Sequence, residues 1–299
     1  MSFLINLLLA LAFAPLLRGI INKTKAFFAG RQGPPILQLY YDLAKLLRKG
    51  AVYSRTTSWI FRFGPVAGLS ISILCLIFLP FGNLPAGISF QGDIILIVYL
   101  LGLLRFFTVL AAMDTGSAFE GMGASREMTF SALAEPTLLF GLAALARKAG
   151  CFSLSPLMHE VTFDIWQTSA PTLALVIAGL FLVFLAENSR IPIDDPATHL
   201  ELTMIHEVMI LDHGGVDLGF IEYTASLKMW ILGSMIVGLA VPIRSGILGI
   251  DILSMCGGMV GLAVLVGIIE STMARFRMIL VPQFLVGACV FSVIGFIIQ

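Results

Sequence analysis

Arg105, Glu135 and Lys228 stand inside stretches otherwise fit for lipid, and their types are the first sign of chemistry in the chain. A charged side chain in mid-span costs roughly 2.5–3.5 kcal/mol on insertion scales, so such groups face the interior of a helical bundle and serve a purpose there. Counted from the polar end of its run, each lies roughly 10–14 Å deep at 1.5 Å per residue, which places all three in one layer. An unmatched buried charge is far costlier than a paired one, so Glu135 is expected to pair with Arg105 or Lys228. Two roles fit: an ion pair that fixes helix packing, or a proton relay in which a carboxylate beside a movable cation changes its proton affinity with conformation. Asp114, Glu187, Glu222 and Glu270 lie near the same-side ends of their runs, and the opposite halves carry almost no charge. Chemistry is expected on or just below one face. The asymmetry argues against ions passing straight through.

The densest polar stretch is "AENSRIPIDDPATHLELTMIHE", residues 186–207, directly after the apolar "TLALVIAGLFLVFL". Pro192 and Pro196 disfavour helix at Ile191 and Asp195, so the chain is expected to leave its span as a rigid, extended loop. Thr198 followed by Glu201 reads as a capping box that opens a short interfacial helix, "HLELTMIHEVMILDH". On that helix His199, His206 and His213 recur every seven residues and form one stripe. Successive members would sit about 10.5 Å apart, too far to share a metal at the usual ~2 Å bonds. Beside Glu201, Glu207 and Asp212, histidines titrating near neutral pH suit proton handling. A hydrogen-bonded interfacial role without proton transfer fits as well.

The elements that must position these groups follow from composition. The 299 residues are 58% hydrophobic and only 12% charged, against about 45–50% and 25% in soluble domains. The fold class is therefore an all-α integral membrane protein, a single polytopic domain over residues 1–299. A helix crosses the hydrocarbon core with about 20 apolar residues. Eight runs qualify, at 3–21, 63–81, 93–113, 128–146, 171–187, 219–241, 247–270 and 278–297. "SFLINLLLALAFAPLLRG" has its positive charges after the apolar stretch, the reverse of a cleaved signal, and reads as a retained first span.

Lysine and arginine fix the expected orientation. The loop after the first run holds Lys23, Lys25, Arg31, Lys45, Arg48, Lys49, Arg55 and Arg62, and every second loop adds Arg126, Arg190, Arg275 and Arg277. The alternate loops hold Arg147, Lys148 and Arg244, so the ratio is twelve to three. The basic loops are expected in the cytoplasm and both termini on the outer side of a cell (inner) membrane. Within the first loop, "PPILQLYYDLAKLLRKG" sets Gln38, Asp42, Lys45 and Lys49 opposite Ile36, Leu39, Leu43 and Leu46 at helical spacing. Such a helix lies on the lipid surface, presents Asp42 and Lys45 to a partner, or does both.

Eighteen basic and eighteen acidic residues cancel, which leaves no basic footprint for nucleic acid. Cys75, Cys256 and Cys289 lie in apolar runs and Cys151 in a loop, without metal-ligand spacing. No cofactor or metal is expected on this chain, so any redox centre belongs to another subunit.

Several segments resemble one family. "GPPILQLYYDLAKLLRKG", "GASREMTFSALAEP", "AENSRIPIDDPATHLEL", "GFIEY" and "ARFRM" occur in order from about residue 30 to 277. They are similar to complex I subunit 1, the quinone-site membrane subunit of NADH-quinone oxidoreductase. Arg126 and Glu135 match in the second segment, Glu187, Arg190, Pro192, Asp194, Pro196 and Glu201 in the third, and Glu222 in the fourth. Ala197 and His199 stand where the quinone-reducing subunit carries acids. With "MDTGSAFEGMGASRE", that departure resembles the related subunit of group 4 membrane-bound [NiFe] hydrogenases, of the formate hydrogenlyase subunit 4 type.

The resemblance implies a membrane anchor without a redox centre of its own, set below a cytoplasmic arm. A hydrogenase large subunit with [NiFe] and a small subunit with iron–sulfur clusters would dock on the basic face, and antiporter-like subunits would lie beside it in the bilayer. By the resemblance, Glu135, Glu187, Glu201 and Glu222 form a proton relay, and Arg126, Arg190 and Asp194 shape the docking surface. The residues themselves add Arg105, Lys228, His199 and His206 to the relay candidates, and Asp195, Asp42 and Lys45 to the docking candidates. The competing readings are the quinone-site subunit of complex I itself, a purely structural anchor and a stand-alone transporter. The last would be expected to show internal repeats, which this chain lacks.

Overall fold

The computed structural model describes residues 2–195 and 204–298. Their helices are α1 (Ser2–Phe28), α2 (Gln38–Leu46), α3 (Trp59–Phe78), α4 (Asp93–Asp114), α5 (Ala118–Ala149), α6 (Leu154–Glu160), α7 (Phe163–Glu187), α8 (His206–Met209), α9 (Gly215–Ala240), α10 (Leu248–Thr272) and α11 (Val281–Ile298). Eight of these are long and apolar enough to cross a membrane, one for each predicted run, and no β-strand occurs among the described residues. With no water to satisfy peptide groups in the hydrocarbon layer, helices are what such runs must form. The chain is a multi-pass membrane protein.

Several helices outrun their predicted spans. α5 begins at Ala118 rather than near residue 128, because the polar "AFEGMGASRE" stays helical beyond the apolar stretch. α7 begins at Phe163, and a kink at Ser169 joins two helical pieces just before Pro171. Proline is well placed in the first turn of the second piece, where its missing N–H is no loss.

α9 is the hub. Its most apolar window is 78% buried inside the protein, against 28% for the last helix. α1, α3, α7 and α10 surround it, and α4, α5 and α11 complete the bundle. Buried Leu227, Trp230, Ile231 and Leu239 carry α9 through the main core.

Asp194 organises the face on which the long loops lie. Its carboxylate accepts from the backbone N–H groups of Ile205 (3.1 Å) and His206 (3.3 Å), and starts α8 at His206. α8 is a single turn. The predicted continuous interfacial helix is therefore corrected: Met204 and Ile205 are not helical, and His213 lies beyond the helix. His206 and His213 share no helical stripe. The expected cap at Thr198, with His199 and Glu201, falls outside the described residues. α8 packs on α5 over Gly123, where a Cβ would meet Val208 Cγ1 at 2.3 Å. At the start of α9, Gly215 combines φ +57° with an approach to Gly50 O that a Cβ would bring to 2.5 Å, so only glycine fits.

The opposite face is pinned by Asp93, which is fully buried. Its carboxylate accepts from Ser153 Oγ and Leu154 N, each at 2.7 Å, and ties the start of α4 to that of α6. Asp93→Ala leaves both donors unsatisfied. The expected loss is about 1–3 kcal/mol, read as a lower thermal midpoint of the protein in detergent.

Candidate functional site

Arg105 occupies the centre of the polar interior, with its side chain 6% exposed. Its Nη2 donates to Glu187 Oε1 at 2.5 Å and its Nη1 to Glu135 Oε1 at 2.9 Å. Glu127 Oε1 lies 3.7 Å from its Nε. Lys228 Nζ stands 3.7 Å from the other oxygen of Glu187. Two cations thus share three carboxylates, and Glu187 bridges the cations. The expected Arg105–Glu135 pair forms. Lys228 turns instead to Glu187.

Exposure separates these carboxylates. The side chain of Glu187 is 5% exposed and that of Glu127 13%, whereas Glu135 is 42% exposed. Glu135 therefore stands on the lateral surface of the bundle, where α4 and α5 pack together, with one oxygen turned inward to Arg105. Gly102 of α4 lies beside it: a Cβ there would be 3.4 Å from Glu135 Oε1, an ordinary contact.

A second cluster lies toward the loops. Arg18 of α1 pairs with Glu222 of α9. Glu270, at the end of α10, accepts from Arg190 at 3.3 Å and faces Lys25 at 2.9 Å. Arg275 holds Asp194 at 2.9 Å. A cavity of about 30 Å³, room for about two waters, lies between the two clusters. Arg18, Arg190 and Glu222 line it from one cluster, Glu187 and Lys228 from the other, and His206 overlooks it. The groups form a nearly unbroken polar string from Glu270 to Glu135. Such a string can pass protons through carboxylates and water, or hold the helices together by charge alone.

The loop groups are shifted by burial. His206 is pushed down to about 4 by desolvation, with help from the Lys228 and Arg18 charges against Glu222. His213 is pushed down to about 4 by desolvation, its ring stacked 3.9 Å from that of Phe61. Both imidazoles are neutral at neutral pH, which corrects the expectation that they titrate there. Desolvation raises Asp194 against the pull of Arg275, and lowers Arg190 against the pull of Glu270.

The docking candidates divide by placement. Arg190 (4% exposed) and Asp194 (1%) are buried, so they shape the loop from beneath. Arg126 is half-buried and donates from Nη1 to Met204 O at 2.9 Å, holding the approach to α8. Asp195 is half-buried, Asp42 accepts from Gln38 within α2, and Lys45 is exposed. Sequence reasoning left out Arg18, Lys25, Glu127, Glu270 and Arg275 as site residues. Arg18 had a visible signal, a lone cation within the first apolar run. Glu127 stood one residue before the predicted start of its span. Among the described residues, no group of three or more His, Cys, Asp or Glu side chains is placed to hold a metal ion.

Comparison with known proteins gives a consistent result. Residues 1–298 match the family model described as NADH dehydrogenase. Formate hydrogenlyase subunit 4 of Escherichia coli (strain K12) is 30% identical over 301 residues, covering 98% of this chain and 96% of that protein. Hydrogenase-4 component C of the same organism is 32% identical over 232 residues, covering 78% of this chain and 72% of its own length. Among solved structures, a chain of the membrane-bound sulfane sulfur reductase, an archaeal respiratory membrane complex, superposes with a TM-score of 0.82 at 21% identity. That match covers 100% of this chain and 99% of the other, and it shows the shared fold.

Proposed function

Because this chain belongs to the NADH dehydrogenase family, of the complex I subunit 1 kind, over essentially its whole length, we propose that it is the membrane anchor and proton-coupling subunit of a membrane-bound [NiFe] hydrogenase complex resembling formate hydrogenlyase. Its relatives include a formate hydrogenlyase subunit, matched over nearly the full length, and a hydrogenase-4 component, matched over 78% of this chain. In this reading the loop face is cytoplasmic, both termini lie outside the inner membrane, and the hydrogenase large and small subunits sit on the face shaped by Asp194, Arg190 and Arg126. The [NiFe] and iron–sulfur centres belong to those partners.

The observation that carries the proposal is the polar string from Glu270 through the cavity to Glu187, Arg105 and Glu135. Packing alone does not require the string to surface in mid-membrane. Glu135 does surface there, and lipid gives a carboxylate no hydrogen-bond donor. A neighbouring membrane subunit on the α4–α5 face satisfies it and receives the proton. Glu201, which matches the family pattern, and His199 are proposed as further relay groups and lie outside the described residues.

Glu187→Gln tests the relay. The neutral amide keeps the shape of the side chain and removes the proton carrier. Proton-coupled turnover in membrane vesicles is expected to fall about 10²-fold, while the same complex keeps its subunits and its hydrogenase activity with an artificial electron donor. Unchanged coupled turnover in assembled complex would reject the relay and leave the anchor. Subunits that co-purify with the tagged chain test the partner assignment, which requires a large subunit with two CxxC pairs for nickel.

A further inference from the structure

A second pocket, also of about 30 Å³, lies between α3, α4 and α9. It shares His206, Ile221, Ala225 and Lys228 with the cavity under the loop, so these four residues form the partition between the compartments. Its remaining walls are its own, among them Gly68 on α3, Leu104 and Ala111 on α4, and His213 from the loop before α9. Ala111 lies in the last turn of α4, and Leu104 adjoins Arg105. The pocket therefore descends about 10 Å from the loop ends of these helices to the level of the buried charges.

Two polar atoms in this pocket have no hydrogen-bond partner among the described residues: Thr224 Oγ1 and His213 Nδ1. Their residues are 7% and 6% exposed. A buried polar atom left unpaired costs about 1–3 kcal/mol, so a dry pocket would carry that penalty twice. The Lys228 ammonium adds to the demand. It has three protons to donate, and its nearest carboxylate oxygen is 3.7 Å away. The volume admits about two waters, and the polar groups needed to hold them are present.

We propose that this pocket is a hydrated inlet, in which water bridges Thr224 Oγ1 and His213 Nδ1 and reaches the Lys228 ammonium from the loop ends of α3 and α4, separately from the cavity beneath the loop. Taken with the relay proposed above, on which this use rests, the inlet brings protons to Lys228 and Glu187 without crossing the docking surface. Its water content rests on packing and bonding alone.

Hydroxyl-radical footprinting of the intact complex in its native membranes tests the inlet, because radicals formed from bound water oxidise the side chains beside it. His213 reports the inlet, Met229 lines the cavity under the loop, and Phe184, at 2% exposure, is the packed reference. After correction for intrinsic reactivity, His213 is expected to oxidise several-fold faster than Phe184. Gly68→Val plugs the pocket: its Cβ would meet Thr224 Cγ2 at 3.7 Å, an ordinary contact, and its methyls fill the space beyond. The plug is expected to cut His213 oxidation several-fold and leave Met229 unchanged. Thr224→Val, nearly isosteric, is expected to lower His213 oxidation as well and covers the case in which the plugged chain does not assemble. Oxidation of His213 at the Phe184 rate, or indifference of His213 to both variants, overturns the inlet. An equal fall at Met229 overturns its separateness. The footprint reads water whether or not protons move, so failure of the relay leaves it standing and a dry pocket leaves the relay standing.

Discussion

Arg105→Met is expected to destabilise the protein by about 3–5 kcal/mol, the range for removing one partner of a buried ion pair. The guanidinium bonds Glu187 and Glu135 and lies close to Glu127, while the other nearby cation, Lys228, stands 3.7 Å from Glu187. Without Arg105, Glu187 and Glu127 remain buried with too little positive charge. Glu135 contributes less, because at 42% exposure its charge is partly screened. Arg105→Lys is expected to fall between, since one ammonium cannot bond two carboxylates as the planar fork does. The measurement is the thermal midpoint of the complex in detergent, with the yield of assembled complex on native gels. Combining Arg105→Met with Glu187→Gln removes charge from both sides and is expected to recover part of the loss. A single variant as stable as the parent would show that the cluster is not held by this cation.

The spans were legible because each depends on a sum over about 20 residues, and such sums survive small errors at the ends. The Arg105–Glu135 pair was legible for a related reason: a charge deep in an apolar run must find its opposite. What failed depends on single side chains or on tertiary contacts. Arg18 is visible as a lone cation in its apolar run, but its partner Glu222 lies on α9, far along the chain. α5 starts at Ala118, before its apolar stretch, and Gly123 in that extension admits α8, a contact of which hydropathy carries no trace. By local pattern His206 reads as mid-helix, yet Asp194, twelve residues earlier, starts α8 there. The same holds for the histidines, whose proton affinity is set by burial that sequence spacing does not report.

Those histidines make the loop face sensitive to acid. An unfolded chain binds a proton at His213 below about 6.5, whereas the folded protein resists it until about 4. Between these values the unfolded state holds more protons, so stability falls as the pH drops through this window and is fully present above it. The shift corresponds to about 3 kcal/mol for His213 once the pH is below both values. His206 shifts in the same direction and adds to the loss. The thermal midpoint in detergent is therefore expected to fall between pH 7 and pH 5. His213→Phe can keep the stack on Phe61 and removes the titrating group. Its midpoint is expected to change less over the same interval. An equal acid sensitivity in the variant would place the titrating group elsewhere, and a parent indifferent to pH 5 would mean that His213 is not held neutral by its surroundings. The consequence reaches the relay as well, since a neutral His206 between Lys228 and Glu222 can accept and donate at once, which a fixed imidazolium cannot.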